Sequence, residues 1–394
     1  VLAEGSHSLT AYSQDRAGNV NNSAVTFSVD SVVPTLNITY PLNTTYTNYV
    51  TALNYTISET GGSCWYSINS GVFNYTSVTA GTNWTGLSGN SSKGSNTWTL
   101  WCNDTAGNLN STSVTFVVDN VVGTQTINSP TNTTYTTSSI NFNVTSSESG
   151  TGSLVPNLDS SLVSWWRMDD TNGSANSVVD YMGRNNGTAV GNAVSTDAGK
   201  MGKGFNFDGS GDYVDITTQP VATGLNFTTC AWINVKGQAG SRRFVFETSP
   251  SYWVISMEVS DTNDIKCFSL KSDGSTSVIA DTNFVPTQNV WYQACCRYNG
   301  TDLNAYINGA FSTSASFGGA SPYTMPAGFH IGTYRAADGR WFNGTIDDVM
   351  IFNRSLSADE IVALYNATAI YHNETLAEGS HSLTAYSQDL AGNI

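Results

Sequence analysis

Residues Leu2 to Asn19 read LAEGSHSLTAYSQDRAGN, and residues Leu376 to Asn393 read LAEGSHSLTAYSQDLAGN. The two stretches differ only at Arg16 against Leu390. A weaker copy lies between them: Gly94 to Asn120 reads GSNTWTLWCNDTAGNLNSTSVTFVVDN, against GSHSLTAYSQDRAGNVNNSAVTFSVD at Gly5 to Asp30. In these copies Val114, Phe116 and Val118, and Val25, Phe27 and Val29, alternate with polar residues. A period of two marks half-buried strands. D-x-A-G-N between two such strands reads as a hairpin turn, because Asp bonds the backbone two residues on and Gly accepts a positive φ. One sentence at both ends makes the chain one period of a tandem array, which favours a stalk, fibre or adhesin over an enzyme.

Composition agrees with an all-β extracellular protein. Only 11 % of the 394 residues are charged, while 19 Tyr, 16 Phe and 10 Trp suffice for several cores. The net charge of −15 makes nucleic acid and anionic membranes poor partners. No apolar run is long enough to span a bilayer. Asn-x-Ser/Thr triplets recur, with Asn37, Asn43, Asn54, Asn74, Asn83, Asn103, Asn132, Asn143, Asn186, Asn226, Asn343 and Asn366 as candidate glycosylation sites. Thr-rich strands also generate such triplets by themselves.

The six cysteines, Cys64, Cys102, Cys230, Cys267, Cys295 and Cys296, lack the C-x-x-C spacing of metal or redox sites. Laying Tyr46, Asn54 and Glu59 on Tyr135, Asn143 and Glu148 places Cys64 on Ser153. The D-x-A-G-N frame places Cys102 on Ser387 and Ser13. Two cysteines that disappear together are expected to form a disulfide, Cys64–Cys102, in an oxidising compartment. The other four allow three pairings. Strand parity puts Cys230 on the Trp232 face and Cys296 with Ala294 and Tyr298, both inward. It turns Cys267 and Cys295 outward, so it favours Cys267–Cys295 and Cys230–Cys296.

The repeat frame divides the chain. Residues 1–30 are the C-terminal half of a unit, and 31–120 are a complete one. Residues 121–152 and 367–394 are a third unit interrupted by an insertion over 153–366. The units resemble the immunoglobulin-like repeats of prokaryotic, and more narrowly archaeal, cell-surface and filament proteins. They have short strands, turn signals every few residues, and Cys64-Trp65 set against a late-strand Cys. The insertion resembles a laminin-G-like, concanavalin-A-type jelly roll. Its motifs are LVSWWRMD from Leu162, DYMGRNNGT from Asp180, GKGFNFDGSGDYVDI from Gly202 and TCAWINV from Thr229. WYQACCRYNGTDLNAYINGAF from Trp291 and FNGTIDDVMIFN from Phe342 follow. LSADEIVALY from Leu356 then supplies a short helix capped by Ser357 and Glu360.

The resemblance implies a structural calcium held by Asp347 in the closing strand and Asp169 by the opening one. Asp170, Asp180 and Asp208 are neighbours, and turn capping is the plainer role for these carboxylates. Tyr252, Trp253, Tyr334, Arg335, Arg340 and Trp341 form a candidate glycan-binding set, of which Trp253, Arg335, Arg340 and Trp341 are the chosen ligand residues. Glu247 and Glu258 lack the second acid a retaining glucanase needs, and the four His are scattered, so no catalytic residue is assigned. The expected function is a repeat unit of an extracellular filament, stalk or surface-layer glycoprotein that displays the jelly roll. The alternative is a lectin-like adhesin on an immunoglobulin-like spacer. Head-to-tail association with copies of itself is the expected partnership, because residues 1–30 are half a unit that leaves a sheet edge open and Val25, Phe27 and Val29 uncovered.

Overall fold

The computed structural model is a protein of strands with one short helix among the described residues, which are all except 69–70, 88–90, 149, 171–175, 219, 221–225, 238–241, 249–253, 324–327 and 335–338. The chain divides into two units, Val1–Thr44 with Asn48–Val118, and Thr45–Thr47 with Asp119–Ile394.

The first unit opens with a hairpin. Gly5–Gln14 and Val20–Val29 pair in unbroken register from Gly5↔Val29 to Gln14↔Val20. Two sheets follow. One joins Leu36–Tyr40, Ala52–Ile57 and Trp84–Thr85. The other contains Leu109–Val118, Gly94–Asn103, Ser63–Ser67 and Val78–Thr79. Alternation in Gly94–Asn103 turns Trp98, Leu100 and Cys102 inward, and Trp98 meets Phe116 edge-on at 5.1 Å. Cys64 and Cys102 are direct cross-strand partners and form a disulfide.

The D-x-A-G-N turn is built alike three times. Asp15 Oδ1 accepts the N–H groups of Ala17 and Asn19, both at 2.9 Å. Asp104 does the same for Ala106 and Asn108, and Asp389 for Ala391 and Asn393, all at 2.9 Å. In each case the Asn side chain donates back to the second carboxylate oxygen. Gly18, Gly107 and Gly392 sit at φ of 91°, 95° and 83°, a region that a side chain would strain.

In the second unit the large element is a jelly roll of two facing eight-stranded sheets. The first runs Val194–Thr196, Gly204–Asp208, Asn343–Phe352, Phe227–Val235, Trp291–Tyr298, Asp302–Ile307 and Ala310–Ser316, with Leu162–Trp166 also on Asn343–Phe352. The second runs Ser177–Val178, Gly187–Val190, Tyr213–Ile216, Phe329–Ile331, Arg243–Thr248, Ser256–Val259, Ile265–Leu270 and Ser277–Asp281. Trp166, Phe207, Phe246, Phe329 and Ile351 fill the space between them, with Trp166 stacked on Phe329 at 5.6 Å.

The helix Ala358–Asn366 starts in the expected capping box. Ser357 Oγ accepts the Glu360 N–H at 3.2 Å, and Glu360 Oε2 accepts the Ser357 N–H at 2.8 Å. Its Ile361 and Leu364 cover the outer face of the first sheet, beside Trp165, Tyr306 and Met350. Its Ala363 packs on the other side with Phe142, Leu154 and Ile370.

That helix explains why strand parity misassigned the disulfides. The structure joins Cys230 to Cys295 and Cys267 to Cys296, not Cys267 to Cys295 and Cys230 to Cys296. Cys230 and Cys295 are directly paired across neighbouring strands and share the face beneath the helix. Trp232 also lies on that face, stacked on Tyr365 at 5.5 Å, so the Trp face is the outer face. Ala231 and Ile233 take the inter-sheet core instead. On the opposite sheet Ile265 and Cys267 point into that core, where Cys267 meets Cys296.

The repeat frame also needs a one-residue correction. Leu154 pairs with Ser387, and Ser153 with Gln388, so Leu154, not Ser153, is the structural counterpart of Cys64. Gly62 and Gly152 fix this frame, because a Cβ on either would strike the carbonyl of Asn103 or Gln388. The strand Ser153–Leu158 therefore pairs with Leu383–Gln388 rather than with any jelly-roll strand. Ser139–Ser146 pairs on one side with Gln125–Ser129 and on the other with Ile370–Thr375.

Candidate functional site

Two polar places in the jelly roll bear on function. The first lies where the opening strand Leu162–Trp166 meets the closing strand Asn343–Phe352. Asp347 and Asp348 are fully buried there. Asp347 Oδ2 accepts the N–H groups of Lys200 and Met201 at 2.8 and 3.0 Å, and Oδ1 that of Asp348 at 2.8 Å. Asp348 accepts the Trp165 indole N–H at 2.7 Å. Asp169 Oδ1 accepts the Lys203 N–H at 2.5 Å. Arg167 reaches Asp169, Asp170 and the carbonyl of Gly392.

Burial pushes the carboxyls of Asp169 and Asp347 well above the usual range, and mutual repulsion adds to it. Burial also pushes Asp348 up to about 7, against the pull of Trp165 and Arg167. Buried Asp347 and Asp348 and half-buried Asp169 thus share this junction with the Arg167 guanidinium, and the Lys200 ammonium also interacts with Asp347. The donor set is oxygen, as calcium prefers. A calcium ion at this junction would draw on Asp169 and Asp347, although no group of three acid side chains within reach of one ion occurs at it among the described residues. Asp180 serves a different end: its carboxylate accepts the N–H groups of Trp165, Met182 and Asn185. Asp208 Oδ1 accepts the Ser210 N–H in a turn.

The second place is the outer face of the second sheet. Alternation sends Val245, Met257 and Cys267 into the core and leaves Phe244, Glu258 and Lys266 side by side across three strands. Arg242 lies over this row. Its Nε donates to Glu258 at 2.7 Å, and its guanidinium carbon is 5.4 Å from the Phe244 ring and 5.0 Å from the Phe268 ring. Tyr334 packs on Phe244 at 5.0 Å, and the Arg340 guanidinium covers Tyr334 at 4.9 Å. The Arg340 carbonyl accepts the Phe244 N–H, which ties this loop to the sheet. Burial raises the Glu258 carboxyl, and the Arg242 bond opposes that shift.

Phe244, Phe268 and Tyr334 are buried beneath the two guanidinia, and Arg242 and Arg340 are themselves half-buried. Arg340 Nη1 and Trp341 Nε1 are enclosed donors with no hydrogen-bond acceptor among the described residues.

The structure places the predicted Arg340 over Tyr334, with Trp341 next to it in sequence and half-buried. Trp253, Arg335 and Tyr252 lie outside the described residues. Sequence reasoning missed Arg242, Phe244 and Phe268. The alternation of Arg243–Thr248 carried the signal, but the run FVF hides which face is core. Of the sequon residues, Asn37, Asn43, Asn74, Asn83, Asn132, Asn186 and Asn226 are exposed, whereas Asn54, Asn103, Asn143, Asn343 and Asn366 are half-buried. Among the described residues no helix is long and apolar enough to cross a membrane. The three disulfides are consistent with a secreted, extracellular protein.

Residues 208–362 match the family described as the Concanavalin A-like lectin/glucanases superfamily of laminin-G type. No curated protein matches the chain. Among solved structures, domain 4 of an extracellular arabinanase from Geobacillus stearothermophilus, in complex with arabinotriose, is 20 % identical with a TM-score of 0.43. It aligns over 52 % of this chain and 98 % of its own. The botulinum neurotoxin serotype D binding domain is 17 % identical with a TM-score of 0.42, over 52 % of this chain. The chain spans 51 % of that domain's length.

Proposed function

We propose that this chain is a secreted carbohydrate-binding protein whose jelly roll recognises acidic sugars on the outer face of its second sheet. The observation that supports the reading is the pair of half-buried guanidinia, Arg242 and Arg340, seated over Phe244, Phe268 and Tyr334. A guanidinium held flat by a ring keeps its N–H fork pointed sideways, and a uronate-type carboxylate accepts both bonds of such a fork. The family match over 208–362 supports the carbohydrate class. Asp169 and Asp347 would hold a calcium ion that stabilises the junction of the first and last strands, remote in role from sugar contact.

A glycan array probed with the intact chain tests the proposal. Carboxylated glycans are expected to bind above their neutral counterparts, and Arg340→Ala and Trp341→Ala to reduce that signal by tenfold or more. Equal binding of neutral and carboxylated sugars, or variants that bind like the parent, would refute it.

A second reading has its own observation, the duplicated 2–19 and 376–393 sequence with its repeated turn geometry. It makes the flanking strands immunoglobulin-like spacer repeats that carry the jelly roll along an extracellular array.

A further inference from the structure

The hairpin between Trp291–Tyr298 and Asp302–Ile307 turns through Asn299, Gly300 and Thr301, an Asn-x-Thr triplet. Each of these residues is exposed. The backbone of the turn is fixed from below. The Tyr298 hydroxyl donates to the Gly300 carbonyl at 2.9 Å, and the Phe317 N–H donates to the Thr301 carbonyl at 2.9 Å. The Asn299 carboxamide is oriented by its own turn. Its Oδ1 accepts the backbone N–H groups of Thr301 at 3.0 Å and of Asp302 at 2.9 Å. Only the oxygen end of the amide can accept those bonds, so Nδ2 is the end directed away from the turn. Nδ2 has no acceptor among the described residues. Thr301 Oγ1 stands 2.9 Å from Asn299 Oδ1 and 2.9 Å from Asp302 Oδ2.

A second triplet, Asn226, Phe227 and Thr228, lies beside this turn and is built differently. A Cβ on Gly300 would stand 3.3 Å from Asn226 Oδ1, so the two asparagines share one patch of surface. Asn226 is exposed, but Phe227 and Thr228 open the strand Phe227–Val235 and are buried. The Thr228 hydroxyl donates to the Arg354 carbonyl at 3.0 Å and accepts the Leu356 N–H at 2.9 Å. An enzyme that must read both the carboxamide and the hydroxyl of such a triplet can reach both at Asn299. At Asn226 it can reach only the carboxamide.

We propose that Asn299 is an acceptor for an N-linked oligosaccharide in the folded chain, and that its neighbour Asn226 is not. The donor is an oligosaccharide carried on a polyisoprenyl diphosphate. The bond from Nδ2 to C1 of the first sugar forms as the C1–O bond to the diphosphate breaks. The lipid diphosphate leaves with the bonding electron pair, and the amide proton passes to a base on the transferase. Attachment at an exposed turn leaves both flanking strands paired and costs the fold no buried contact. The inference concerns a turn of the first sheet and is independent of sugar binding on the second.

The test uses the folded chain with its disulfides intact. It is incubated with an oligosaccharyltransferase that accepts Asn-x-Ser/Thr triplets and with a lipid-linked oligosaccharide donor. A short acceptor peptide added to the same reaction reports that the enzyme is active, and glycopeptide mass spectrometry reads which asparagine carries the sugar. The expected result is sugar on Asn299 and none on Asn226. Thr301→Val should abolish modification of Asn299, and Thr301→Ser should retain it. The reduced, unfolded chain should take sugar at Asn226 as well. A bare Asn299 beside a glycosylated acceptor peptide would overturn the inference, as would sugar that persists on Asn299 in Thr301→Val. Modification of the folded chain as fully at Asn226 as at Asn299 would also overturn it. An Asn226 that stays bare after unfolding would show that burial of Thr228 is not what protects it, and would overturn that half.

Discussion

Adjacent residues Cys295 and Cys296 leave opposite faces of one strand, and their pairing can be read by removing one partner at a time. In Cys230→Ala the structure leaves Cys295 as the free thiol, and in Cys267→Ala it leaves Cys296. The Cys230–Cys295 bond spans a sequence separation of 65 and Cys267–Cys296 one of 29. Chain-entropy scaling puts the stabilisation at about 4.3 kcal/mol for the first and about 3.6 kcal/mol for the second. Each variant should therefore melt roughly 10 °C below the parent. Alkylation of the denatured, unreduced variants followed by peptide sequencing identifies the labelled residue. Label on Cys296 in the Cys230→Ala chain would refute the assignment. So would a melting temperature unchanged by either substitution.

Other outcomes follow from single contacts. Glu360 is buried and takes two bonds from Arg354 at 2.9 and 2.5 Å, so Glu360→Ala should cost about 3–5 kcal/mol in a denaturant titration, and Glu360→Gln less because it retains the capping bond. Burial alone would raise this carboxyl, but Arg354 and the Ser357 N–H hold it below the ordinary glutamate value. Its stabilisation is therefore complete above the unfolded glutamate pKa of about 4.3 and is lost as pH falls through the lower folded value. The acid-unfolding midpoint of Glu360→Gln should depend less on pH in that window than the parent's. A Cβ on Gly332 would lie 2.6 Å from the Phe207 ring at a φ of 90°, so Gly332→Ala should destabilise the jelly roll by about 1–3 kcal/mol in thermal melts. A chelator should lower the melting temperature of the parent and leave Asp347→Asn unaffected; parent melts that ignore the chelator would leave Asp347 as a backbone-holding residue only.

What could be read from sequence depended on how far each signal reached. Hairpins were legible because their determinants are local. D-x-A-G-N fixed three turns, and Asn308 with Gly309, an Asn-Gly pair between two strands, adopts the left-handed pair at φ of 50° and 76°. The capping box at Ser357 and Glu360 was legible for the same reason. The motifs from Leu162 to Tyr365 fell on strands of one jelly roll and its helix. Which face of Phe227–Val235 points inward was not legible, because both faces are buried. Ala231 and Ile233 serve one core, Cys230 and Trp232 the other, and alternation carries no sign when neither side is wet. The frame slipped by one at Ser153 because the extra residue lies between Glu148 and Gly152, where only the carbonyl of Gln388 fixes the count. At the candidate sugar face, Arg340 and Trp341 were visible as residue types. Arg242 was not, because its role comes from rings on two other strands.

The disulfides also have a mechanical consequence. A chain pulled from its two ends lengthens only through residues that lie outside closed covalent loops. Cys230–Cys295 and Cys267–Cys296 overlap, so together they withhold residues 230–296 from extension, and Cys64–Cys102 withholds its own loop. At about 3.5 Å per extended residue the overlapping pair alone hides on the order of 230 Å of contour length. Under tension the central strands of the jelly roll remain a closed knot of covalent loops even after every hydrogen bond around them has parted, and the reach of the stretched chain is set by its bridges rather than by its residue count.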